Sequence, residues 1–211
     1  YIFIFFTFVT ITNSKFSQDF YKIKEFNING LNQLEAEKLH DDVKIFRNIN
    51  IFSFNKKDVS KIINSNKTIE EFNIIKIYPS TLKIEIKKTK FLAITKKNGI
   101  DYLVASNENL IEIKDTNLEL PYIFGDIDVN NFLNFKKIID ISNFEFNKIK
   151  SLYYFKSNRW DIMTKDGLLL KMPINLTVKK VNLIFEIIKK NNFNDVKIID
   201  FRQNNLMVIN E

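Results

Sequence analysis

The stretch from Phe72 to Lys87 constrains this chain more than any other. It reads as two strands joined at Tyr78-Pro79-Ser80. Past the turn, Leu82, Ile84 and Ile86 alternate with Lys83, Glu85 and Lys87. A period of two places the apolar side chains on one face of a strand and the charges on the other. Ahead of the turn, Phe72, Ile74, Ile75 and Ile77 form a denser apolar run, which predicts that the first strand is the more buried of the two. Pro79 lacks an N–H and fixes its own φ, so it ends the first strand and holds Tyr78 extended. Burying each of these Ile or Leu side chains contributes roughly 1.5–3 kcal/mol before entropy.

The chain has 211 residues, enough for one large domain or two small ones with real cores. With 4 glycines and 3 prolines, long disordered linkers are not expected. The net charge of +7 permits contact with nucleic acid or an anionic membrane without demanding it. Lysines are spread along the chain in short groups such as Lys87, Lys88 and Lys90, or Lys96 and Lys97, which read as solvated faces. The cysteine count is 0, so no disulfide or thiolate metal site can form.

The chain begins at Tyr1, not Met, and reads as a fragment. Tyr1 to Thr12 is strongly apolar, and the first charge is Lys15. A helix over those residues spans about 18 Å, short of the ~30 Å hydrocarbon core of a bilayer. We read residues 1–14 as the C-terminal part of a membrane-spanning helix that starts upstream. An edge or core strand is the alternative that the aromatic and β-branched content favours locally. A signal-peptide core is a third reading, but no small-residue cleavage site follows.

Next comes a strand from Phe20 to Asn29, whose apolar phase shifts near Glu25 and so predicts a bulge or bend. Gly30 turns the chain, and Asn32 is an N-cap with Glu35 three residues on. Leu39, Val43 and Phe46 share one helical face. Asn55 with Asp58 opens a second helix carrying Val59, Ile62 and Ile63. The order is strand, helix, helix, strand, strand, an α+β layer arrangement.

On Ile28-Asn29-Gly30, Asn50-Ile51-Phe52-Ser53 and Ile77 through Leu82, this part of the chain resembles a POTRA domain. The version is similar to that of the FtsQ/DivIB family of bacterial cell-division proteins, in which a POTRA domain follows one membrane span. Lys87-Lys88 stand where that family usually has an acidic residue.

From Phe91 the pattern changes to short strands with turn signals. Candidates are Phe91 to Ile94, Tyr102 to Val104 and Leu110 to Ile113, with turns at Lys97-Asn98-Gly99 and Ser106-Asn107. Phe135, Ile138 and Ile139 mark a helix, and Ile149 to Phe155 a strand. Arg159 to Ile162 and Leu168 to Met172 form a hairpin about Asp166-Gly167. Val181, Ile184, Phe185 and Ile188 mark another helix, and Val196 to Phe201 and Leu206 to Ile209 close the chain. Leu120-Pro121 through Gly125, Arg159-Trp160-Asp161, Gly167 through Pro173 and Ile199-Asp200-Phe201-Arg202 resemble the C-terminal β domain of the same family in order and spacing. The expected fold is thus α+β. A membrane-helix remnant at 1–14 precedes a POTRA domain (β-α-α-β-β) at 20–89. A mixed or antiparallel β-sheet domain with flanking helices follows at 90–211.

Residues for catalysis are scarce. Glu37 and His40 lie three apart on a helix, but a carboxylate-bridged metal site needs a second Glu-x-x-His, and His40 is the 1 histidine in the chain. Asp41-Asp42 and Glu70-Glu71 read as surface charge, and the glycines form no phosphate-cradling loop. Trp160, between Arg159 and Asp161, reads as the anchor of a core or hairpin in preference to a binding hot spot. Asp200 and Arg202 share a strand face, either as a structural ion pair or as a rim contact to a partner. No catalytic, metal or cofactor-binding residue is expected.

The resemblance implies a scaffold and no enzyme, a single-pass protein of the bacterial inner membrane with its domains in the periplasm at the division septum. It implies docking of the division proteins FtsB and FtsL by addition of a partner strand to the last strand. That edge is expected at Phe201 to Ile209. Arg202 and Gln203 flank it, Leu206 and Val208 present one apolar face, Met207 and Ile209 complete it, and Arg159 adds a charge-assisted hydrogen bond to an acidic partner group. Gln203 stands where the family often has an aromatic. A POTRA-bearing component of outer-membrane protein transport or assembly is the alternative, and a basic nucleic-acid binder is a third.

Overall fold

Gly30 shows how tightly the first layers close. It sits at φ +94°, and a Cβ there would lie 1.7 Å from the Ile86 carbonyl oxygen. Only glycine allows the chain to turn this close to the neighbouring strand. The structure is a computed structural model that describes residues 19–113, 118–191, 193, 196–203 and 206–210. The expected membrane segment at 1–14 lies outside the described residues. Among the described residues no helix is long and apolar enough to cross a membrane. The chain divides into two units, Tyr1–Thr89 and Lys90–Glu211.

In the first unit, β1 (Glu25–Asn29), β2 (Ile69–Ile77) and β3 (Thr81–Lys88) form a sheet of order β1-β3-β2. β1 runs parallel to β3, and β2 runs antiparallel to it. The helices α1 (Gln33–Val43) and α2 (Lys56–Asn64) join β1 to β2. Asn32 caps α1 with a full capping box: its Oδ1 accepts from the Glu35 N–H at 2.9 Å, and Glu35 Oε2 accepts from the Asn32 N–H at 3.3 Å. Asn55 Oδ1 accepts from the Lys57 N–H and opens α2. Leu39, Val43, Val59 and Ile63 bury themselves with Leu82, Ile84 and Ile86 of β3 in one cluster.

Two expectations are corrected here. β2 is not the more buried strand: β3 is central, and on β2 Ile74 is buried while Ile77 is 43% exposed. The register explains why. Phe72 and Ile74 stand opposite Ile86 and Ile84 on the covered face, whereas Ile75 and Ile77 stand opposite Lys83 and Thr81 on the other. Nor is Phe20 to Asn29 one strand with a bulge. The Ile23 N–H donates to the Ile49 carbonyl and the Ile51 N–H to the Tyr21 carbonyl, while Glu25–Asn29 pairs with β3. The phase shift near Glu25 marks a change of partner.

The second unit is built on a mixed sheet. Its strands are β4 (Phe91–Lys97), β5 (Ile100–Ala105), β6 (Leu110–Glu112), β7 (Tyr122–Phe124), β8 (Ile149–Phe155), β9 (Arg159–Thr164), β10 (Leu169–Lys171), β11 (Ile198–Asp200) and β12 (Val208–Asn210). The spatial order is β12-β11-β10-β9-β8-β7-β4-β5-β6. The pairs β4·β7, β7·β8 and β10·β11 are parallel, and the connection from β10 to β11 runs through α4 (Val178–Lys190). α3 (Val129–Ile141) joins β7 to β8, capped by Asp128, whose Oδ1 accepts from the Asn130 N–H at 2.7 Å. Phe132, Phe135 and Ile139 of α3 and Val181 and Ile184 of α4 pack with the sheet in one core. Trp160 is buried in it, stacked on Phe135 at 4.8 Å and tilted against Tyr154 at 4.6 Å. It is the core anchor that its place on a hairpin suggests.

Candidate partner-binding edge

Strand register determines what the edge of the second sheet displays. Ile123, Leu152, Ile162, Leu170 and Ile199 stand opposite one another across five strands, and each is at most 1% exposed. The next position in that row is Ile209 on β12, which is 43% exposed. The difference follows from position: β12 is the last strand, and no strand of the described residues lies beyond it. The row of core side chains therefore ends on an uncovered isoleucine beside unpaired backbone.

The adjacent row faces the other side of the sheet and reads Phe124, Tyr153, Asp161, Lys171, Asp200, Val208. Phe124 and Tyr153 stack at 5.1 Å. The three charged residues alternate in sign, and an arginine attends each carboxylate. Arg159 Nε donates to Asp161 Oδ1 at 3.1 Å, and its guanidinium lies 4.0 Å from the centre of the Phe155 ring. The Met172 N–H also donates to Asp161 Oδ1, at 3.3 Å. Arg202 Nε donates to Asp200 at 2.9 Å and 2.8 Å, its Nη2 donates at 2.5 Å, and its backbone N–H adds a fourth bond at 2.9 Å.

These two carboxylates titrate in opposite directions. Burial pushes Asp161 above its ordinary value, against the pull of Arg159, the Met172 N–H and Arg202. Asp200 is held below its ordinary value, chiefly by its hydrogen bonds from Arg202 and against a smaller burial effect. Arg202, by the same pairing, is held above its own.

The expected site residues do not all gather at the edge. Val208 and Ile209 lie on β12 on opposite sheet faces, and both are exposed. Leu206 and Met207, also exposed, precede the strand and border a cavity of about 240 Å³ with Phe201, Gln203, Leu183 and Ile187. Leu206 and Val208 therefore do not form one strand face, because the ladder starts only at Val208. Phe201 is buried in the core, and its N–H donates to the Lys171 carbonyl at 2.9 Å. Arg202 is half exposed and is paired with Asp200, the structural ion pair of the two readings. Arg159 lies on β9, separated from β12 by two strands, with its guanidinium already committed to Asp161.

Three contributors were missed from the sequence: Lys171, whose charge fills the gap between two carboxylates, and Leu183 and Ile187 of α4. Leu183 carried a signal. It is apolar yet off the stripe of Val181, Ile184 and Ile188, and it is 58% exposed. Elsewhere, His40 meets the Phe26 ring edge-on at 5.9 Å. Among the described residues, no group of three or more His, Asp or Glu side chains converges as a metal site requires.

The fold defines an α+β protein of two modules, a two-layer unit followed by a mixed sheet whose terminal strand β12 has one free edge among the described residues. Residues 21–88 match the POTRA domain, FtsQ-type, and residues 93–202 match the C-terminal domain of the cell division protein FtsQ/DivIB. The second match alone covers more than half of the chain, and the chain belongs to the FtsQ/DivIB family of cell-division proteins. It is 27% identical over 190 residues to the cell division protein DivIB of Clostridium botulinum strain Hall, covering 90% of this chain and 62% of that protein. It is 22% identical over 162 residues to the cell division protein FtsQ of Bradyrhizobium diazoefficiens, covering 72% of this chain and 45% of that one. The chain thus spans less than two thirds of the length of these relatives. The structure of the major extracytoplasmic domain of the trans isomer of DivIB from Geobacillus stearothermophilus overlaps 50% of this chain and 98% of its own, at 13% identity and a TM-score of 0.35. Division, not outer-membrane transport, is the family setting of this chain.

Proposed function

We propose that this chain is a non-catalytic division scaffold that receives an extended segment of another division protein along the outer edge of β12. By the family resemblance that segment belongs to FtsB, with FtsL alongside. The observation that carries the reading is the pairing of a free strand edge with the uncovered Ile209 at the end of a buried row. An added strand satisfies the backbone groups of β12, and its side chains extend both rows: an apolar one next to Ile209 and another next to Val208. Leu206 and Met207, with the cavity against α4, supply apolar surface at one end of the edge. Arg202 supplies a half-exposed guanidinium for an acidic partner group.

The scaffold reading includes an anchor. In this reading residues 1–14 are the end of a single membrane span, and both units lie in the periplasm at the septum. Residues 20–89 act as the POTRA domain and residues 90–211 as the docking domain.

The docking is tested by affinity for an FtsB ectodomain. Leu206→Pro stiffens the approach to β12 and weakens binding at least about tenfold, as expected when a strand edge carries the contact. Unchanged affinity places the docking surface elsewhere.

A further inference from the structure

One end of the first unit carries an exposed aromatic chain that strand pairing in the second unit does not use. Phe20 meets Tyr21 edge-on at 5.3 Å, Tyr21 meets Phe52 at 5.1 Å, and Phe52 stacks on Tyr78 at 4.8 Å. Phe20, Phe52 and Tyr78 are 51%, 57% and 54% exposed. Single exposed rings need no explanation, but contiguous exposed apolar surface marks an interaction site.

Three segments meet there. The Ile51 N–H donates to the Tyr21 carbonyl at 2.8 Å, and the Lys24 N–H donates to the Ser80 carbonyl at 2.8 Å. The chain entry, the loop between the helices and the β2–β3 turn therefore share one end of the unit. Lys76 Nζ donates to the Phe52 carbonyl at 3.3 Å, which puts a cation beside the rings. Residues 19–25, 47–54 and 76–80 carry Lys22, Lys24, Arg47 and Lys76 against Asp19 and Glu25. The end is aromatic and net cationic.

We propose that this aromatic end lies in the headgroup layer of an anionic bilayer. Phe20 and Phe52 enter the boundary with the acyl chains, Tyr21 and Tyr78 keep their hydroxyls at headgroup level, and the net positive charge of this end, with Lys22 held by Asp19 at 2.5 Å, faces lipid phosphates. Chain length argues for lipid as the occupant. Phe20 is six residues beyond Ser14, the end of the proposed anchor, so a fully extended connection reaches at most about 22 Å. The inference rests on the proposed anchor, because that is what brings the bilayer within reach.

The chain has no cysteine, so single labels are simple to place. The full-length protein is reconstituted into vesicles of phosphatidylglycerol and phosphatidylethanolamine. An environment-sensitive fluorophore is attached at Ser53→Cys, beside the rings, or at Glu71→Cys, about 20 Å away along β2. Spin-labelled lipid is expected to quench the label at position 53 at least about threefold more than the label at 71. The double substitution Phe20→Ser and Phe52→Ser removes that excess. Equal quenching at both positions, in protein that floats with the vesicles, overturns the aromatic contact and leaves the anchor standing. A label at 53 that is shielded but not quenched assigns the rings to protein and overturns it as well. Protein that does not float with the vesicles sinks the anchor and this inference with it.

Discussion

Ile199 and Ile209 stand opposite each other in the antiparallel ladder of β11 and β12, yet the first is 0% exposed and the second 43%. They share a register position and a sheet face and differ in having a neighbour on both sides or on one. Substitutions at the two positions therefore separate folding from docking. Ile199→Ala leaves a cavity and costs about 2–5 kcal/mol of stability. Ile209→Lys changes stability by no more than about 0.5 kcal/mol, yet lowers partner affinity at least about tenfold. Denaturant titration and calorimetric binding of the two variants check the split.

Trp160 is the sequence feature that invited two uses. The structure buries it against Phe135 and Tyr154, so Trp160→Ala is expected to cost about 3–5 kcal/mol. Its folded fraction should retain partner affinity within about threefold. Urea unfolding gives the first number, and binding measured below the unfolding transition gives the second.

The charged row makes a pH prediction with two signs. Asp161 is raised in the folded state, so the native protein holds that proton more tightly than the unfolded chain does. Its ionisation opposes folding at neutral pH, and the opposition lifts as pH falls through the raised value. Asp200 is lowered, so its contribution is present above the unfolded carboxylate value and is lost as pH falls through the lowered one. On acidification from about pH 7 to about pH 3.5, the wild-type protein should gain stability relative to Asp161→Asn and lose it relative to Asp200→Asn. Urea midpoints at the two pH values measure both differences, and a common sign contradicts the assignment.

Gly30 and Gly99 both have positive φ, but only one has a crowded neighbour. Gly30→Ala sets a methyl against the Ile86 carbonyl and costs about 2–4 kcal/mol. Gly99→Ala, with nothing within 4 Å, costs about 1 kcal/mol from the backbone alone. Thermal or urea unfolding of the pair resolves the two effects.

Most of the fold was legible because local signals agreed with it. Asn32 with Glu35, the Asn98-Gly99 and Asp166-Gly167 turns, and the helical stripe from Val181 to Ile188 each mark an element that forms. The misreadings arose where partners decide. Apolar density in Phe72 to Ile77 could not reveal that β2 is an edge strand, because burial depends on which strand lies beside it. The edge near the C-terminus was legible as a region and not as a set of side chains. Phe201 turns into the core because it follows β11 on the helix-covered side, and Leu206 lies ahead of the ladder. Lys171 could be placed between Asp161 and Asp200 only once the parallel pairing of β10 with β11 was known.

The central claim is that β12 accepts a strand, and hydrogen–deuterium exchange reads that edge directly. With a saturating FtsB ectodomain, the amides of Val208 to Asn210 should slow at least about tenfold, while those of β6 at the opposite sheet edge keep their rates. Unchanged exchange at Val208 to Asn210 in a complex that demonstrably forms would contradict strand addition at this edge.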